Sequence, residues 1–158
     1  MKGNKKLIDK LNSLLADELT AINEYMVHSE MRNQWGYARL HDSMEKQAID
    51  EMKHAEMLIN RIIFLEGRPV VSTLREIKIG QDVPAQLRND VNLEYGAVKA
   101  YNDAIILAGE VRDFATREIL EKILMDEDRH VDTLEEQIDQ VEQLGIQIFL
   151  GHQIKKEG

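Results

Sequence analysis

Glu18, Glu51 and His54 recur as Glu94, Glu127 and His130, each matched by the same residue type 76 positions further on. Four carboxylates and two imidazoles supply oxygen and nitrogen donors that suit iron or manganese. Glu51 and His54, like Glu127 and His130, are three residues apart, so on a helix both side chains leave the same face. Two such helices, with two more that each carry one Glu, can enclose a pair of metal ions. Ions about 3.5–4 Å apart would be bridged by Glu51 and Glu127. Glu18 and His54 would then complete the shell of one ion, Glu94 and His130 that of the other. Buried together without cations, the four carboxylates would repel one another and be costly to strip of water.

A lone Glu-x-x-His is a weak signal. Here a third ligand shares the offset in each half, and so does its neighbourhood. Asp50 to His54 aligns with Asp126 to His130, and Leu11, Ala21, Tyr25, Leu58 and Ile62 pair with Leu87, Ala97, Tyr101, Leu134 and Ile138. The chain therefore reads as two helical hairpins related by duplication. The bland alternative is a metal-free bundle in which the repeat is purely structural.

Apolar periodicity places these residues on four long helices and a short fifth. The first is predicted over Asn4 to Gln34, with Leu7, Leu11, Leu14, Leu15, Ile22 and Met26 in one stripe that includes Glu18. The second runs from Tyr37 to Glu66, its inward set reading Leu40, Met44, Gln47, Glu51, His54, Leu58, Ile62, Leu65. Gly67-Arg68-Pro69 ends it. Residues 68–81 form a connection long enough to cross the bundle, with Val70, Val71, Ile77 and Ile79 as apolar anchors. The third helix starts near Asp82, carries Pro84 in its first turn, and ends at Gly109. Its inward set is Leu87, Val91, Glu94, Val98, Tyr101 and Ile105. The fourth, Asp113 to Leu144, presents Leu120, Ile123, Glu127, His130, Leu134, Ile138 and Val141. Gly145 breaks it before Ile146 to Leu150, a segment too short to be stable alone and expected to pack against symmetry mates. Two short turns and one long crossover define a ferritin-like topology.

Composition agrees. The 158 residues suit one domain across 1–158, and only two prolines and 5% aromatic residues favour an all-α fold. A net charge of −9 argues against a nucleic-acid partner and suits a chain that attracts cations. The absence of cysteine excludes Fe–S clusters and thiolate zinc sites. No apolar run reaches the ~18 residues of a membrane span, and no signal peptide follows the charged start. A soluble cytoplasmic protein is the expectation.

Leu14 to Tyr25, Asp50 to Ala55, Phe64 to Pro69 and Glu127 to His130 together make the chain resemble the bacterioferritins from end to end. That resemblance implies a shell of twenty-four subunits, ferroxidase activity at an intrasubunit di-iron centre with O2 or H2O2 as oxidant, and Fe(III) mineral stored inside. It also implies a b-type haem at a twofold subunit interface, held by one Met from each protomer, and a ferredoxin-type protein as electron donor. Met52 is the candidate. It follows Glu51, so it is turned about 100° from the ligand face, and its repeat counterpart is the polar Asp128. The competing role is an interface or gap-filling methionine.

Tyr25 and Tyr101 lie seven residues after Glu18 and Glu94, as core tyrosines bonded near the site, with electron donation a second role for Tyr25. Asp50 matches a position linked in the family to an additional inner-surface iron, but Lys46 stands where some members have His. His28, His41 and His152 read as solvated or structural. Two other function classes use the same residues differently. One is a di-iron or di-manganese peroxidase, oxygenase or catalase-like enzyme without storage; the other is a partner-binding bundle without metal.

Overall fold

The computed structural model describes residues 1–154, and among these all regular structure is helical. Helix α1 spans Lys5–Gln34, α2 Ala38–Phe64, α3 Val83–Glu110, α4 Phe114–Leu144 and α5 Ile146–Gly151. Side-chain caps set three of the starts. Asn4, Asp82 and Asp113 accept from the backbone N–H groups of Leu7, Ala85 and Thr116, satisfying donors that the first helical turn leaves free. Equivalent turns join α1 to α2 and α3 to α4. Gly36 and Arg112, which are repeat counterparts, both adopt a left-handed backbone there, with φ of 85° and 62°.

The long helices run antiparallel wherever they touch. Tyr25 meets Glu94 while Tyr101 meets Glu18 across α1 and α3; His54 meets Asp126 while His130 meets Asp50 across α2 and α4. The apolar core falls into two parts. One holds Leu7, Leu11, Leu14, Leu58, Ile62, Leu120 and Ile123. The other holds Leu40, Met44, Leu87, Val91, Leu134 and Phe149, the last contributed by α5. Between them lies a belt of buried charge.

Several expected core positions fall elsewhere. Met26 is 48% exposed, and the adjacent Tyr25 turns inward instead. Val98 and Ile105 are only half-buried; Ala104 and Ala108 line the helix contact in their place. Val70 and Val71 do not anchor the crossover, being 39% and 58% exposed. Hydrogen bonds tie it down along α1 instead. Val70 N–H donates to Asn12, Arg75 N–H to Thr20, Lys78 N–H to Glu24 and Gly80 N–H to His28. A segment with no ladder of its own must place its buried N–H groups on side chains. The α5 segment packs Phe149 into its own bundle, while Ile148 stays 56% exposed.

Candidate metal centre

Six side chains converge in the belt, and all are buried: Glu18 and Glu94 from α1 and α3, Glu51 and His54 from α2, Glu127 and His130 from α4. They form two four-residue groups. Glu18, Glu51, His54 and Glu127 make one, Glu94, Glu51, Glu127 and His130 the other; within each, ligand atoms lie within 4.8 Å of one another. Glu51 and Glu127 belong to both, the position a bridging carboxylate must take. His54 Nδ1 sits 2.9 Å from Glu127 Oε1, and His130 Nδ1 2.8 Å from Glu51 Oε1. Neither pair is aligned as a hydrogen bond. Among the described residues, both Nδ1 atoms, both Glu127 oxygens and one oxygen each of Glu18, Glu51 and Glu94 have no hydrogen-bond partner. Buried polar atoms are ordinarily bonded. A concentration of orphaned donor atoms aimed into one small space fits two cations.

The electrostatics point the same way. Burial pushes the carboxyls of Glu51 and Glu127 well above the usual range, and charges on Glu18 and Glu94 push further. Burial opposes the imidazolium of His54, but the carboxylates of Glu127 and Glu18 beside it prevail and lift its pKa to about 10. Glu94 and its surroundings lift His130 in the same way, to about 9. Glu94 lies below its ordinary value: burial would raise it, but the neighbouring His130 and the hydrogen bond from Tyr25 outweigh that. Without metal the site thus balances its carboxylates with protons, which divalent ions would displace.

A second layer holds the ligands in place. His54 Nε2 is 2.8 Å from Asp126 and His130 Nε2 is 3.0 Å from Asp50. A carboxylate accepts, so each ring keeps its proton on Nε2 and turns Nδ1 toward the centre. Tyr25 donates to Glu94 and Tyr101 to Glu18, each at 2.5 Å. The tyrosines are where the repeat predicts; the aspartates' role went unforeseen. Its signal was present, since Asp50 and Asp126 stand at the same offset as the ligands. Here Asp50 serves His130, a role distinct from holding an inner-surface iron.

Sequence reasoning missed a second buried polar group altogether. Glu24, His28, Arg32, Gln86 and Asp90 are all essentially inaccessible. His28 Nδ1 is 2.8 Å from Asp90, and its Nε2 accepts from Gly80 N–H. Glu24, His28 and Asp90 are close enough to hold an ion, but this ring cannot ligate. Its Nε2 lone pair is used by Gly80, so the proton sits on Nδ1. Arg32, 3.6 Å from Asp90, already supplies positive charge. Burial holds His28 down at about 4, and lifts Glu24 to about 8 and Asp90 to about 7. Those shifts fit a neutral imidazole beside two carboxyl groups that hold their protons more readily than usual. His41 is half-buried and bonded to Ser29, and His152 is exposed; both are structural or solvated, as expected.

Met52 is 46% exposed, on the outer side of α2. It lies in an apolar groove with Ile22, Met26 and Ile49. On the α1–α3 side, a cleft leads from the surface down to Glu18, Glu51, Glu94 and Glu127. Its walls include the small repeat-related residues Ala21 and Ala97.

The chain is similar to known proteins along most of its length. Residues 8–144 match the family described as "Ferritin-like domain". The chain is 39% identical over 145 residues to the bacterioferritin of Brucella melitensis, covering 92% of this chain and 90% of that one. It is 40% identical over 149 residues to that of Rhodobacter capsulatus, covering 94% and 92%. To that of Mycolicibacterium paratuberculosis it is 37% identical, covering 94% of each chain.

Proposed function

This chain belongs to the bacterioferritin family, and from that premise we propose that it stores iron. In this reading each subunit oxidises Fe(II) at the buried centre and delivers Fe(III) to a mineral inside a hollow homo-oligomeric shell of twenty-four subunits. The observation that carries the ferroxidase reading is the pair of ligand groups sharing Glu51 and Glu127. Two Fe(II) ions held side by side can each give one electron to the same O2 or H2O2, a two-electron demand met without a diffusing one-electron species. Glu18 and Glu94 close the two ends, and the carboxylates neutralise the ions as their charge rises. Asp126 and Asp50 keep the imidazole rings oriented with Nδ1 toward the centre, so that only the Nδ1 proton has to leave when Fe(II) arrives.

The cleft supplies a direct route from solvent to the ligands. Assembly is supported by large apolar side chains that one subunit leaves exposed, among them Ile63, Phe64, Phe114 and Ile148. Large apolar side chains such as these gain by being covered on assembly. No helix among the described residues is long and apolar enough to cross a membrane, and a cytoplasmic location rests on the family alone.

Met52 and its apolar groove fit a haem between two subunits. Twofold apposition would present two equivalent thioethers, and their softness favours the ferrous state. The haem would supply one-electron transfer between the stored mineral and an outside reductant, with a ferredoxin-type protein as its donor.

Glu18→Ala or Glu94→Ala should abolish rapid Fe(II) oxidation while the helical content and assembly persist. Retention of the wild-type initial rate in both would reject the centre. Met52→Leu keeps the apolar volume, so it should assemble and oxidise iron normally, lack haem absorbance, and release stored iron more slowly under reductant. A peroxidase, oxygenase or catalase-like enzyme would instead sediment as a small oligomer without mineral.

A further inference from the structure

The cleft that reaches the centre is unequal at its two lips. Outside the ligands, Asp17 on α1 is the one carboxylate on its wall, and the repeat counterpart on α3 is Leu93. Across Asp17 lies Arg75 from the crossover, a segment without a repeat counterpart. Arg75 Nε donates to Asp17 Oδ1 at 2.9 Å, and its Nη2 donates to Ser13 Oγ at 2.9 Å and Ser13 O at 3.2 Å. The Arg75 backbone is pinned separately, its N–H donating to Thr20 Oγ1 at 2.8 Å. The side chain can therefore leave Asp17 without releasing the crossover.

We propose that the Asp17–Arg75 ion pair is a charge gate on the cleft, setting how fast Fe(II) reaches the ligands. This rests on the reading of the six-residue group as an Fe(II) centre. The side chains of Arg75 and Asp17 are 46% and 32% exposed, and an ion pair so exposed is worth little to stability. Its effect on an approaching cation is another matter. Asp17 and Glu18 line the same cleft, so a hydrated Fe(II) held at Asp17 stands one step from a ligand. Paired with Arg75, that carboxylate is screened; released, it attracts. A doubly charged ion competes with the guanidinium for Asp17, and the guanidinium has Ser13 to retain it when displaced. The gate thus favours divalent over monovalent cations, because only the former can displace Arg75 effectively. Glu76 and Lys78, further along the crossover, carry opposite charges and line an adjoining pocket, and Arg75 is the crossover residue on the cleft wall.

The test uses the whole assembled protein and two probes: stopped-flow binding of Co(II), which does not turn over, and initial rates of Fe(II) oxidation. Arg75→Gln should raise the second-order rate with either metal by about three- to tenfold at low salt. Asp17→Asn, which leaves Arg75 unpaired at the lip, should lower it by a similar factor. The saturated oxidation rate should be unchanged in both. Both differences should shrink at about 0.5 M salt, and Arg75→Lys should behave as wild type. If both substitutions shift the rate in the same direction, or alter only the saturated rate, Arg75 is an anchor for the crossover and the gate is overturned. Failure of Co(II) to bind the wild-type protein in a manner sensitive to Glu94→Ala would remove the centre itself, and the gate with it.

Discussion

The two ends of the bundle are related by the same 76-residue offset as the metal ligands, yet they are built from opposite materials. At the end where α3 begins, Glu24, His28 and Arg32 face Asp90 and Gln86. Their counterparts at the other end are Ala100, Ala104, Ala108, Leu14 and Lys10. Leu14, Ala104 and Ala108 are fully buried in an apolar cluster. The difference follows from the crossover, which exists once and runs along α1 toward the polar end. There its Lys78 and Gly80 N–H groups meet Glu24 and His28, and Gln86 donates to the Gly80 carbonyl. Duplication set the centre, and the unduplicated strap dictated where polar residues had to enter the core.

Asp90→Leu copies the apolar end's Leu14 into the polar end, and should have the largest effect. It leaves the Arg32 charge and the His28 Nδ1–H without their carboxylate, which should cost about 3–5 kcal/mol in chemical denaturation. A neutral or stabilising outcome would show that the two ends are interchangeable.

Acidity should separate the ends next. Folded Glu24 keeps its proton to about pH 8 against an ordinary 4.5, and Asp90 to about 7 against 3.8. The unfolded chain surrenders these protons earlier, so this stability is complete below the ordinary values and fades as pH rises toward 7–8. His28 acts in reverse: held at about 4 rather than 6.5, it costs stability as pH falls through that window. Glu24→Gln still accepts from Lys78 but no longer titrates. The difference between wild type and variant should therefore change steadily between about pH 5 and 8, while contributions from the centre cancel. A pH-independent difference would mean that Glu24 is ionised in the folded protein.

Tyr25 and Tyr101 sharpen the comparison at the centre, one on each side. Tyr25→Phe and Tyr101→Phe each strip a ligand carboxylate of a 2.5 Å donor, and each should weaken Co(II) binding by on the order of tenfold. Equal losses would mean that the centre is indifferent to the ends; a much larger loss for Tyr25, measured by titration, would show the polar end reaching in. The smallest effect lies in the turns. Gly36→Ala places a side chain on a backbone with φ of 85° and should cost about 1 kcal/mol. Arg112→Gly relieves the equivalent strain but adds unfolded-state freedom, so its melting temperature should move by little.

How much of this was legible in the chain depends on the range of the signal. Helices, caps and turns are local, and Asn4, Asp82 and Asp113 mark their starts as written. The convergence of the six candidate ligands was legible because a repeat supplies its own control: a residue type that returns at a fixed offset, on the apolar face, marks a shared position in the fold. The exposure of Met52 was legible from its place one residue after Glu51. Asp50 and Asp126 carried the same mark, but their partners lie on the facing helix, and no spacing along one strand of sequence gives the pairing. Met26 as a core residue, and Val70 and Val71 as anchors, misled because periodicity records hydrophobicity without recording which neighbour arrives to cover it.

The sequence by itself determined a four-helix bundle with a long crossover and six candidate metal-binding residues turned into its middle, because helical period and donor chemistry are properties of single elements. Only the tertiary structure decided the rest. It set which aspartate orients which imidazole, sent Tyr25 to Glu94 and Tyr101 to Glu18, buried His28 beneath the crossover, and laid Arg75 across Asp17. Each of these depends on two segments far apart in the chain meeting at hydrogen-bond distance, and that is fixed by packing, not by spacing.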